Sequence, residues 1–75
     1  MEKLLKLLRE INPDIDYKSE RHLVSDGYFD SLEIMTVVVS MQDQFDIEID
    51  AEDVTADNFD SVDSMMKLIQ KYQGK

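Results

Sequence analysis

Among the 75 residues of this chain, Ser31 is the one whose type and place could carry chemistry. It stands in Asp30-Ser31-Leu32-Glu33, after Gly27-Tyr28-Phe29, and opens a strongly helical stretch that runs to Phe45. No neighbour could activate it as a nucleophile. His22, the only histidine, falls in a charged loop and reads as a solvated surface residue, not a general base. A hydroxyl so placed has two roles open to it. It caps or begins a helix and does nothing more, or another enzyme attaches a group to it. A helix start favours an anionic attachment, because its free N–H groups and the positive end of its dipole oppose the charge. A phosphodiester would be tolerated there and not at the other end of the helix.

Other chemistries lack their residues. The chain has no cysteine, so it can form neither a disulfide framework nor a thiolate metal site, and a single histidine cannot complete a zinc site. Gly27 and Gly74 do not make a phosphate-binding glycine loop. Asp46, Glu48 and Asp50 have the alternate spacing of a calcium loop. However, Ala51 stands where the sharp turn needs glycine, and Asp57 where a bidentate glutamate is expected. No metal site and no enzymatic activity are expected.

Placement of charge says more than the net value of −9. Residues 22–66 contain no lysine or arginine, yet they hold every acid except Glu2, Glu10, Asp14, Asp16 and Glu20. Lys67, Lys71 and Lys75 stand unopposed in the tail. A middle of one sign repels nucleic acid and steers toward basic protein surfaces, although acids of this kind also serve simply to keep a small protein in solution. Nucleic-acid binding is therefore excluded. The apolar runs are too short to span a membrane and no signal-peptide pattern is present, which predicts a cytoplasmic protein. The length allows one domain, residues 1–75, with a small core and modest stability, and a monomer is expected.

The elements that must position Ser31 can be read from apolar spacing. Leu4, Leu5, Leu7, Leu8 and Ile11 predict an amphipathic helix over 2–11, ended by Asn12-Pro13-Asp14. Residues 12–30 show no period. Leu23, Val24, Tyr28 and Phe29 suggest that this long connection is nonetheless ordered, with its apolar side chains tucked in. The second helix begins with Asp30 or Ser31 as cap, and Asp30 and Glu33 have the spacing of a capping box. It carries two apolar stripes. Ile34, Val37, Val38, Met41 and Phe45 should face the core, while Leu32, Met35 and Val39 cluster on a different side. The long loop could cover this second stripe, or the stripe could be a partner-binding face beside Ser31. Phe45–Asp50 alternates like a strand but would have no partner, and reads as an extended connector whose Ile47 and Ile49 close one end of the core. A short helical turn over 56–59 follows, started by Thr55 or Asp57. The last helix is capped by Asp60 or Ser61 and buries Val62, Met65, Met66, Ile69 and Tyr72. The fold class is all-α: a small four-helix bundle with one short helix and a long loop between helices 1 and 2.

With these elements in order, the chain resembles the acyl and peptidyl carrier family over nearly its whole length. The resemblance is carried by the amphipathic first helix, Gly27-Tyr28-Phe29, Asp30-Ser31-Leu32, Phe45-Asp46-Ile47-Glu48-Ile49, Val54-Thr55-Ala56-Asp57-Asn58-Phe59 and a final helix. It implies that a phosphopantetheinyl transferase moves 4′-phosphopantetheine from coenzyme A onto Ser31, beside Asp30. The prosthetic thiol would then hold an acyl or aminoacyl group as a thioester. By the same resemblance, Leu32, Met35 and Val39 would dock partners, Glu33 and Asp43 would steer their basic patches, and Thr36 and Tyr28 would lie at the edge of the contact. The partners implied are the transferase, an adenylate-forming acyl or aminoacyl ligase, and acyltransferases or synthases with basic docking patches. Thr36, Gln42 and Gln44 are neutral where carriers of housekeeping fatty-acid synthesis are densely acidic along this helix. The Gly27-Tyr28-Phe29-Asp30-Ser31 approach and the Phe45-Asp46-Ile47-Glu48-Ile49 run look more like those of discrete carriers serving a dedicated ligase, D-alanyl carriers included. An unmodified acidic interaction module is the remaining alternative.

Overall fold

A computed structural model describes residues 2–74; Lys75, expected to stand unopposed in the tail, lies outside them. Helix α1 spans Glu2–Ile11, α2 Ser31–Phe45, α3 Ala56–Phe59 and α4 Val62–Gln73, with a 3-10 turn at Ala51–Asp53 before α3. No strand occurs among the described residues, and the alternating run after Phe45 is an extended connector with Ile47 buried and Ile49 half-buried. The expected all-α four-helix architecture, with its one short helix and long first crossover, is the one found.

Helix α1 runs antiparallel to α2. Its first turn meets the last turn of α2, where the Lys3 ammonium bonds the Gln44 carbonyl and lies 4.9 Å from the centre of the Phe45 ring. At the other end, Asn12 Nδ2 reaches Glu33 Oε2 at 3.5 Å. Leu4 and Leu8 of α1, Val37 and Met41 of α2, Phe59 of α3 and Met65 and Ile69 of α4 are sealed from solvent in one core. The inner stripe of α2 thus packs as its spacing requires, with Ile34 and Phe45 at its margin. In α4 the expected stripe needs correction. Leu68 is buried beside Met65 and Ile69, whereas Met66 and Tyr72 are only partly covered. Tyr72 is drawn outward by hydrogen bonds, its hydroxyl donating to Asp53 Oδ2 and accepting the Asp50 N–H at 3.1 Å. Lys71 pairs with the same Asp53 carboxylate at 3.0 Å, so it is not unopposed.

The long loop is ordered by specific bonds. Tyr17, buried and with its ring centre 6.2 Å from that of Phe29, donates its hydroxyl to the carbonyls of Leu8 at 3.0 Å and Asn12 at 2.7 Å. The Leu8 carbonyl already accepts the Asn12 N–H at 2.9 Å, so Tyr17 adds a second donor there and supplies one to the Asn12 carbonyl just past the end of α1. Burial, with the charge of Glu33 as a lesser cause, pushes the Tyr17 phenol up to about 12. The folded state therefore holds its proton past the ordinary phenol value near 10. The resulting stabilisation is complete below about pH 10 and is lost as pH rises through about 12. Tyr17→Phe is expected to lower stability by about 1–2 kcal/mol and to abolish the last step of the alkaline tyrosinate absorbance titration. An unchanged titration would show that another tyrosine owns that step.

Leu23 and Phe29 are buried as expected and Val24 is half-buried, but Tyr28 is not tucked in: 48% of it is exposed. Gly27, at φ 81°, turns the chain through the left-handed region just before it. The Phe29 N–H bonds the Leu23 carbonyl at 2.9 Å, so Phe29 enters the core and its neighbour points out.

Candidate functional site

Helix α2 begins where Asp30, in extended conformation, turns its side chain back over the first turn. Its Oδ1 accepts the Glu33 N–H at 2.8 Å and its carbonyl accepts the Ile34 N–H at 3.0 Å, which makes Asp30 the cap and Ser31 the first helical residue. Only half of the expected capping box forms, because the Glu33 carboxylate is turned toward Asn12 of α1.

Ser31 is exposed, and its hydroxyl has no hydrogen-bond partner among the described residues. No base polarises it. The N–H groups of Ser31 and Leu32 precede the first intrahelical bond and are left to solvent or to a ligand. The chemistry available is that of a passive acceptor: a reachable hydroxyl at the positive end of a fifteen-residue helix. A phosphodiester fits there, since the site offers free N–H donors and no packing that the group would displace.

Beside it, α2 presents its second stripe bare. Leu32 is 79% exposed, Met35 56% and Val39 58%, so the loop does not cover them. Leu32, Met35, Thr36, Val39 and Ser40 line one shallow open groove of about 330 Å³. Thr36 contributes little free polarity, because its hydroxyl donates to the Leu32 carbonyl at 2.9 Å. Asp43 is exposed one helical turn beyond Val39 on the same side. Glu33 is not part of the groove and stands half-buried at the α1 edge. Tyr28 is exposed on the approach to Asp30.

Residues outside the predicted set hold this arrangement in place. Gln42 accepts the Asp46 and Ile47 N–H groups on its carbonyl and the Ile49 N–H on its side chain at 2.9 Å, which ends α2 and fixes the connector. Asp60, at the corner between α3 and α4, takes hydrogen bonds from the loop at Val24 and Ser25. Desolvation opposes its charge, but the Ser25 and Val24 bonds and the nearby His22 outweigh that and hold its carboxyl below the usual range. The sequence marks Asp60 only as a candidate helix cap and Gln42 only as a neutral position of the second helix, and neither signal points to these bonds. Among the described residues no group of three or more His, Cys, Asp or Glu could hold a metal ion, and no helix is long and apolar enough to cross a membrane.

Comparison with known proteins bears on this site. A family model described as a phosphopantetheine attachment site matches residues 2–69. An acyl carrier protein from Buchnera aphidicola subsp. Baizongia pistaciae (strain Bp) is 39% identical over 54 residues, which is 72% of this chain and 67% of that protein. No solved structure matches the chain.

Proposed function

The chain belongs to the phosphopantetheine-attachment family, a family of carriers and not of enzymes, and we propose that Ser31 is the residue to which its covalent 4′-phosphopantetheine is joined. The observation that carries this is the exposed Ser31 hydroxyl, without a partner among the described residues, at the capped N-terminus of α2 and next to a bare apolar groove. When attached, the group supplies a terminal thiol that holds the cargo as a thioester. Ser31 Oγ bonds to the phosphorus of coenzyme A that bears pantetheine, the pyrophosphate bond breaks, and 3′,5′-ADP leaves. The hydroxyl proton passes to a base of the transferase, since no described residue of the carrier bonds that hydroxyl. The free N–H groups of the first turn then face the new phosphodiester, and Asp30 keeps the turn in place.

Residues 1–75 act as one monomeric, cytoplasmic carrier domain. Leu32, Met35 and Val39 give partners an apolar seat, Thr36 and Tyr28 border it, and Asp43 and Glu33 attract basic residues around it. The partners are a phosphopantetheinyl transferase, an adenylate-forming acyl or aminoacyl ligase, and acyltransferases or synthases that use the loaded thioester. The cargo is an acyl group carried outside primary fatty-acid synthesis. The sealed inner stripe around Val37 and Met41 favours a second reading, in which the cargo is an aminoacyl group too small to need shelter in the core.

The test is incubation with coenzyme A and a promiscuous transferase, followed by intact mass and mapping of the modified peptide. One added phosphopantetheine on Ser31 is expected. No gain of mass by an initially unmodified, folded sample, beside a carrier that does gain it, refutes the assignment. Thermal stabilisation on loading with a long acyl chain would favour the fatty-acyl cargo, and its absence the aminoacyl one.

A further inference from the structure

Asp60 makes four bonds to three consecutive residues of the long loop. Its Oδ1 accepts the N–H groups of Val24 and Ser25, each at 2.9 Å, and its Oδ2 accepts the Ser25 hydroxyl at 2.7 Å. Its carbonyl accepts the Leu23 N–H at 2.9 Å. The Leu23 carbonyl in turn accepts the Phe29 N–H, and Val24 and His22 accept from Gly27 and Asp26, so residues 22–29 form a closed turn fastened at one point. That turn delivers the chain directly to the cap at Asp30 and to Ser31. Its apolar anchors, Leu23 and Phe29, are buried; Ser25, Asp26, Gly27 and Tyr28 are exposed and belong to no helix. Among the described residues, the exposed part between these anchors is hydrogen-bonded only by the Asp60 clamp and the turn's internal bonds.

We propose that Asp60 is a positioning residue for the modification of Ser31: acting through Ser25 and Leu23, it holds the 23–29 turn in the shape that a transferase meets. This rests on Ser31 being the attachment residue. Ser31 itself stays at the start of α2 whether or not the clamp is made, because Asp30 and the Ile34 N–H define that start. Releasing the clamp therefore leaves the nucleophile in place and loosens the surface around it. The transferase must then order the turn on docking, which weakens capture of the carrier and spares the chemical step.

The experiment is steady-state transfer from coenzyme A with the carrier as varied substrate. Asp60→Ala is expected to raise KM for the carrier about tenfold while kcat changes less than about twofold, the size of ordering one or two side chains on association. Ser25→Ala, which keeps both backbone bonds, should raise KM about two- to threefold. Asp60→Asn, which keeps one carbonyl acceptor, should fall between the wild type and Asp60→Ala. Ile69→Val trims a buried side chain of α4 remote in sequence from the turn and should leave KM unchanged, which separates positioning from general loss of stability. Equal KM values for wild type and Asp60→Ala, or an equal rise in Ile69→Val, overturn the proposal. Should Asp60→Ala not fold, Ser25→Ala and Asp60→Asn decide it, and wild-type KM values in both overturn it. Failure of the wild type to take up the group would be seen before any variant is compared, and would remove the attachment assignment itself.

Discussion

Ser31→Ala is expected to fold as the parent does and to take up no phosphopantetheine. The fold has little to lose at this position. The side chain is exposed, forms no hydrogen bond among the described residues, and is not the cap, which is the Asp30 carboxylate 2.8 Å from the Glu33 N–H. Alanine is the better helix former by about 0.5 kcal/mol, so helicity should hold and Tm should stay level or rise slightly. Loading, by contrast, loses its only acceptor atom, and the effect is complete. Intact mass after transferase treatment reads the loss, and far-ultraviolet circular dichroism shows that folding is not its cause. Continued loading of the alanine variant would move the attachment to another hydroxyl.

The second large effect is expected at the bare stripe of α2. Met35→Glu and Val39→Glu replace side chains that are more than half exposed, so neither opens a cavity, and stability should change by no more than about 0.5 kcal/mol. A partner that seats on these residues would instead have to bury a carboxylate without a counter-charge, which costs several kcal/mol unless the contact is abandoned. A loss of about a hundredfold in kcat/KM for the transferase or the ligase follows, equivalent to about 2.7 kcal/mol. Raising the salt concentration should not restore it, because the defect is desolvation at the contact and not long-range steering. Parent-like transfer kinetics in both variants would mean that partners dock elsewhere.

The helices were legible because their signals are local. The four leucines of α1, the Asp30 cap, the Thr55 and Ser61 caps and the apolar spacing of α2 and α4 each specify structure within a few residues. Ser31 and the second stripe were legible for the same reason: one is a helix start and the other a wheel position that the first stripe leaves unused. The bonds that order the crossover could not be read this way. Tyr17 reaches back to α1, and Asp60 reaches a loop thirty-five residues earlier through its bonds to Ser25. Neither partner carries a pattern that names the other, and Asp60 read equally well as a helix cap. Hydrophobicity tucks in both Tyr28 and Phe29, but the turn at Gly27 and the Phe29 N–H bond to Leu23 bury only Phe29. Leu68 falls outside a single apolar stripe because α4 packs against both α1 and α3, and one stripe is too narrow to describe a helix with two neighbours.

The distance along the chain between the turn and its clamp also sets an order of events during synthesis. Once residues through Phe45 have left the ribosome, α1 and a capped α2 can form by packing their apolar faces on each other, with Ser31 already at a helix start. The approach to Ser31 cannot close until Asp60 has been made, and it closes securely only once α4 supports the corner that Asp60 occupies. A nascent chain therefore exposes Ser31 in an unfinished setting. Any enzyme that recognises the closed turn would disregard half-made chains and spend coenzyme A only on completed ones.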